Sequence, residues 1–178
     1  MGQKKDPVRF AEKRMPEWEA DVRIAQEALA KDSNLSEVEK FMNFPVFASR
    51  QAMTRVLARY ELFKMVLDIP GSIFECGVLF GGGVFSFAHF STIFEPVNAQ
   101  RTIVGFDTFK GLPELHENDK SKMQSSKMHK NAMSTDSYDE LLNVIKVFDM
   151  NRALNHLPKI ELVKGDITKT LPRYLIGY

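Results

Sequence analysis

The sequence predicts an α/β fold: a doubly wound parallel sheet, front part only, preceded by N-terminal helices. Three observations predict it. The first is the stretch G-S-I-F-E-C-G-V-L-F-G-G-G, Gly71 to Gly83, which reads as strand, glycine-rich turn and helix start. The second is R-T-I-V-G-F from Arg101, an apolar run that ends on Asp107. The third is K-I-E-L-V-K, Lys159 to Lys164, which alternates and ends in Gly165-Asp166. Helix-compatible segments separate the three runs, the order of a parallel sheet built from βαβ units.

The chain has 178 residues, 44% of them hydrophobic and 26% charged, which suits about one soluble globular domain. A net charge of +1 gives no global excess that would draw nucleic acid. One cysteine, Cys76, excludes an internal disulfide and fits a reducing compartment. No apolar run reaches the roughly 20 residues of a membrane span, and the charged start M-G-Q-K-K-D-P has no secretory character. The expected location is the cytoplasm, with no membrane partner.

Residues Met1 to Lys40 are polar and helix-forming, with Trp18, Val22, Ala25 and Leu29 at helical spacing. Ser36 is placed to cap a short turn after K-D-S-N. Phe41 to Phe47 reads as an aromatic loop around Pro45. A stronger helix follows from Arg50 to about Leu67, with Met53, Val56, Leu57, Tyr60, Phe63 and Leu67 as its apolar stripe. Tyr60 brings a polar tip to that stripe and needs a partner, of which a ligand is one candidate. Ile69-Pro70-Gly71 then turns the chain into the first strand. The organisation expected is a helical cap segment, 1–48, and a partial sheet domain, 49–178.

The glycine loop carries the chemistry. Gly77, Gly81, Gly82 and Gly83 lie within seven residues. A residue without Cβ lets a ligand lie against the main chain, and the helix N-terminus behind it offers free N–H groups. A tight connection without a ligand is the plainer alternative, but it requires fewer glycines. Asp107 stands thirty positions beyond Gly77, at the end of the second strand. A carboxylate there can accept from both ribose hydroxyls; it can also simply cap the loop D-T-F-K-G-L-P. The dinucleotide fingerprint places its acid nearer, about 20 residues on, which speaks against a nicotinamide cofactor. Pro113 to Ser137 is polar and long enough for a lid; its His116 and His129 lack a second ligand at metal spacing. A helix with Leu141, Leu142, Ile145 and Phe148 on its apolar face follows. Asp166 either faces the same rim or caps the turn I-T-K-T-L-P.

Three strands and three or four helices leave such a fold unfinished. The first strand keeps an apolar edge that needs covering. The expectation is a shortened chain, or one completed by a partner or by self-association.

These pieces together resemble class I S-adenosylmethionine-dependent methyltransferases, and most of all the macrocin O-methyltransferase family (TylF/MycF/NovP-like). The resemblance rests on I-P-G-S-I-F-E-C-G-V, R-T-I-V-G-F-D-T-F-K-G-L-P, K-G-D-I-T-K-T-L-P and the helix segment R-Y-E-L-F, and covers Phe44 to Leu175. It implies a C-terminally incomplete Rossmann-like domain that binds S-adenosylmethionine. It implies that Glu75, Gly77 and Gly81 line the methionine end, that Asp107 takes the ribose, and that Thr108 and Phe109 lie beside the adenosine. Asp166 and Ile167 would flank the adenine, and Tyr60 would close the pocket. The acceptor implied is a sugar or other small-molecule hydroxyl. The family's metal acids and base follow a fourth strand, so the resemblance assigns no catalytic or metal residue here; Mg²⁺ is implied only for a full-length relative. The other reading is a non-catalytic remnant that binds the cofactor, or a fragment needing a partner chain.

Overall fold

A computed structural model describes residues 17–111 and 133–177. His116, His129 and most of the Pro113–Ser137 segment lie outside the described residues. Contacts divide the chain into two compact units, Met1–Ala58 and Arg59–Tyr178.

The first unit is helical. It holds α1 (Glu17–Asp32), α2 (Glu37–Met42), α3 (Phe44–Phe47) and the start of α4 (Arg50–Lys64). Ser36 caps α2 as its position predicts: its hydroxyl accepts from the Glu39 amide at 3.3 Å, and Glu39 accepts from the Ser36 amide at 2.7 Å. This reciprocal pair is a capping box. The expected Phe41–Phe47 loop is instead the end of α2 and the whole of α3. Pro45 does not break α3 because it stands in the first turn, where its missing N–H has no intrahelical partner to lose. On α1, Trp18, Val22 and Leu29 are all exposed.

The second unit is built on a three-stranded parallel sheet in the order β1 (Ile73–Cys76), β2 (Ile103–Asp107), β3 (Ile160–Lys164). All three predicted strands are present. In register, Ile73 pairs with Ile103 and Ile103 with Ile160. β2 is central, and Ile103, Val104, Gly105 and Phe106 are buried, as a strand covered on both faces requires. α5 (Gly82–Phe94) connects β1 to β2, and α6 (Tyr138–Met150) precedes β3. Val84 and Ala88 of α5, and Leu141 and Ile145 of α6, join Ile103 and Ile160 in one apolar core. Burial of this kind stabilises by roughly 25 cal/mol per Å² of apolar surface.

Seven helices occur among the described residues, more than the three or four expected. The second one missed is α7 (Ile167–Ile176), where the sequence suggests only a turn. Asp166 starts it by accepting from the Thr168 amide at 3.0 Å and from the Thr168 hydroxyl at 2.8 Å. Pro172 sits inside α7 and removes one intrahelical bond. Tertiary packing outweighs that loss. The Tyr174 ring stands 5.6 Å from Phe74 and 5.5 Å from Phe106, edge-on to both, and its hydroxyl donates to Glu161 at 2.7 Å. No helix among the described residues is long and apolar enough to cross a membrane.

Candidate active site

The parallel strands all end on one rim. Gly77 follows β1, Asp107 closes β2 and Gly165 follows β3, so these positions are neighbours by register: the Gly77 amide donates to the Phe106 carbonyl at 2.8 Å, and the Gly165 amide to the Asp107 carbonyl at 2.9 Å. A cleft of about 450 Å³ opens above them. It falls within the roughly 300–1,000 Å³ of small-molecule sites. Its walls include Gly77, Asp107, Thr108, Asp166 and Ile167, five of the residues expected from the sequence. Cys76, Leu79, Phe106, Gly111, Met133 and Gly165 complete it.

Gly77 offers bare main chain here. Its φ is +94°, and a Cβ built on it meets nothing within 4 Å. Asp107 is the hub. One carboxylate oxygen, Oδ2, accepts from the amides of Val78 at 2.7 Å and Leu79 at 3.0 Å. The other, Oδ1, accepts from the Phe109 amide at 2.8 Å. The side chain therefore ties the glycine loop to the β2 loop, and its Oδ1 retains a lone-pair direction. The Thr108 hydroxyl donates to the Gly111 carbonyl at 2.7 Å and closes the turn beside it. Asp166 both lines the cleft and caps α7; the Thr168 hydroxyl and amide hold its carboxyl below the ordinary value.

Four expected residues are not brought to this cleft. Tyr60 stacks on Phe94 at 5.5 Å and tilts against Phe90 at 5.6 Å, toward the far end of α5 from the glycine loop. Its ring is accounted for by aromatic packing, together with the Lys64 ammonium 4.8 Å from its centroid. Phe109 is a core residue, 3% exposed, with its ring 5.0 Å from that of Tyr138. Gly81 is the left-handed N-cap of α5 and faces Leu141 and Phe85. Glu75 turns under the start of α5, so close to Gly83 that a Cβ there would stand 1.7 Å from its Oε1. A side chain at position 83 would therefore require the Glu75 carboxyl to move. A second hollow, about 590 Å³ between α5 and α6, holds none of the nine expected residues.

Glu75 has its own consequence. Its Oε2 is buried without a hydrogen-bond partner. Burial raises its carboxyl above the ordinary 4.5, against smaller opposing effects of Arg59 and the Val84 amide. The folded chain thus holds this proton more tightly than the unfolded chain. Its contribution to stability is greatest below the unfolded value and falls as pH rises through the raised folded value. Glu75→Gln is expected to flatten that fall, read as the urea midpoint against pH. A slope unchanged by the substitution would contradict this placement.

Leu79 and Met133 line the cleft and Ser137 bonds to Leu79, positions that motif reading passes over. The Leu79 amide is held by Asp107, and its carbonyl accepts from the Ser137 hydroxyl at 2.7 Å. Leu79 carries the only sequence signal, as an unremarkable residue within a glycine-rich run. Among the described residues, no group of three or more His, Cys, Asp or Glu side chains comes together in a way that could hold a metal ion.

No protein-family model matches the sequence, and no curated protein matches it. Solved structures do. The crystal structure of CalS11, a calicheamicin methyltransferase, superposes with a TM-score of 0.86 at 30% identity, covering 99% of this chain and 68% of that one. The apo structure of CalS11, there described as a TDP-rhamnose 3'-O-methyltransferase of calicheamicin biosynthesis, gives 0.73 at 31% identity over 92% of this chain and 62% of that one. This chain thus spans about two thirds of the CalS11 length. The O-methyltransferase NovP matches at 19% identity with a TM-score of 0.48, over 66% of this chain and 47% of that one, and adds no weight. With the strand order and the glycine loop in place, the chain belongs to the class I S-adenosylmethionine-dependent O-methyltransferases.

Proposed function

We propose that the rim cleft binds S-adenosylmethionine and that the protein methylates a hydroxyl of a sugar or other small-molecule acceptor. One observation carries this reading: the open main chain of Gly77, the Asp107 carboxylate and the start of α7 at Asp166 and Ile167 all border one cleft of about 450 Å³. That set fits an adenosyl ligand. Gly77 lets the ligand lie against the backbone. Asp107 offers Oδ1 to the ribose hydroxyls, already held in place by the amides it accepts from. Ile167 gives the adenine an apolar contact, and Asp166 accepts from its exocyclic amine beside it. Thr108, with its hydroxyl closed on Gly111, keeps the turn at the adenosine end rigid. When bound, the sulfonium supplies an already activated methyl group. The work of the protein is then alignment of the acceptor oxygen and removal of its proton, and no residue of this chain is assigned to the proton. The sugar-like acceptor is suggested by the nucleotide-sugar substrate named for CalS11.

Calorimetric titration with S-adenosylhomocysteine, and in parallel with NADH, tests the proposal. The expected result is saturable binding of the first and none of the second. NADH binding without S-adenosylhomocysteine binding would overturn it. Cofactor binding with no methyl transfer to any nucleotide-sugar or glycoside acceptor is the result that favours the non-catalytic alternative.

A further inference from the structure

Ser137 is the N-cap residue of α6, yet its side chain makes no capping bond. A serine in that position ordinarily accepts from its own helix. Here the hydroxyl is turned away and donates to the Leu79 carbonyl, 58 residues earlier, at 2.7 Å. The Thr135 hydroxyl stands 2.8 Å from it and 3.4 Å from the same carbonyl. Ser137 is 4% exposed, so little water competes for the bond.

The backbone around this contact is strained in a pattern. Leu79, Phe109, Met133 and Asp136 have φ of +54°, +56°, +66° and +50°, and they are the non-glycine residues with positive φ among the described residues. All four lie in three segments that hydrogen bonds bind together. Asp107 holds the amides of Leu79 and Phe109. The Asp136 amide and the Ser134 hydroxyl donate to the Phe109 carbonyl at 3.3 and 3.4 Å. Ser137 closes the ring on Leu79. Leu79 and Met133 both line the rim cleft. Non-glycine left-handed residues persist only where their surroundings over-determine them, and they gather at ligand sites.

We propose that Ser137 is a positioning residue for cofactor binding: it forgoes its helix cap to hold the Leu79 peptide in the left-handed form that shapes the cleft. This rests on the cleft being the S-adenosylmethionine site. Leu79 is then gripped from both sides, its N–H by Asp107 and its C=O by Ser137. Without the second grip the loop relaxes, and the ligand must restore it on binding.

Three variants separate positioning from capping. Ser137→Ala removes the donor. Ser137→Thr keeps it. Ser137→Asp supplies a good N-cap but cannot donate to a carbonyl. The readouts are the Kd for S-adenosylhomocysteine and the thermal midpoint of each full-length variant. Ser137→Ala and Ser137→Asp should bind roughly three- to tenfold more weakly than wild type, the size of one hydrogen bond. Ser137→Asp should do so with a midpoint at or above that of Ser137→Ala, and Ser137→Thr should bind like wild type. Wild-type binding retained within twofold by Ser137→Ala would overturn the assignment, as would recovery of affinity in Ser137→Asp. Failure of the wild-type protein to bind would overturn the proposed function along with it, so the two failures are distinguishable.

Discussion

Replacing Arg101 with alanine is expected to lower the unfolding free energy by about 3–5 kcal/mol. Arg101 is 3% exposed and sits where the chain enters β2. Its guanidinium donates to four carbonyls in the turns between α4 and β1: Gly71 at 2.9 Å, Val66 at 3.0 Å, Ile69 at 3.0 Å and Leu67 at 3.3 Å. Its Nε also pairs with Glu95, just beyond α5. One side chain thus gathers the carbonyls of the connecting turns and fixes them beside the start of the sheet. Alanine takes one donor from each of those carbonyls, leaving Val66 its bond from the Ile69 amide, and removes the cation from Glu95, which burial raises but which hydrogen bonds from Arg101, Asn98 and Ser91 hold below its ordinary value overall. The thermal midpoint should fall by on the order of 10 °C for a chain of this size. Arg101→Lys should recover only part of the loss, because an ammonium lacks the planar fork that reaches several acceptors at once. Thermal denaturation of the three proteins checks this. A midpoint for the alanine variant within two or so degrees of wild type would show that the network contributes little.

Asp107→Ala is expected to weaken S-adenosylhomocysteine binding by about 1.5–3 kcal/mol, roughly 10- to 150-fold, the range of hydrogen bonds to a charged group. Two effects add. The ribose loses its acceptor, and the amides of Val78, Leu79 and Phe109 lose theirs. Asp107→Asn separates the two. Its single carbonyl oxygen can keep the Val78 and Leu79 amides, but its NH₂ then faces the Phe109 amide and the ribose side. Its affinity should fall between those of wild type and Asp107→Ala. Titration calorimetry on the three proteins checks this; unchanged affinity in the alanine variant would remove Asp107 from the site.

The sheet was legible because its strands announce themselves locally. Ile103 to Phe106 is a continuous apolar run, as a strand buried on both faces must be, and Gly77, Asp107 and Gly165 mark the rim on which the strands end. The residues on that rim could therefore be named from sequence. What could not be read depends on contacts distant in the chain. α7 contains a proline that reads as a stop, and the ring contacts of Tyr174 with Phe74 and Phe106, far away in the chain, help to make a helix there worthwhile. α3 was lost for a related reason, since Pro45 looks the same in a loop and in a first helical turn. Proximity to a motif in sequence does not by itself bring a side chain to the cleft. Glu75 and Gly81 stand in the glycine-rich stretch, but a strand alternates its side chains and a helix cap turns, so neither reaches the cleft. Phe109 follows Asp107 by two residues and is directed into the core by its left-handed backbone. Ser137 was invisible as a partner of Leu79, because nothing in either neighbourhood signals a bond across 58 residues.

The most direct measurement is the crystal structure of the protein grown with S-adenosylhomocysteine. The adenosyl group is expected in the cleft bounded by Gly77, Asp107 and Asp166, with its ribose oxygens hydrogen-bonded to Asp107 and its adenine against Ile167. Ligand seated in the hollow between α5 and α6, or in the rim cleft with its ribose turned away from Asp107, would contradict it.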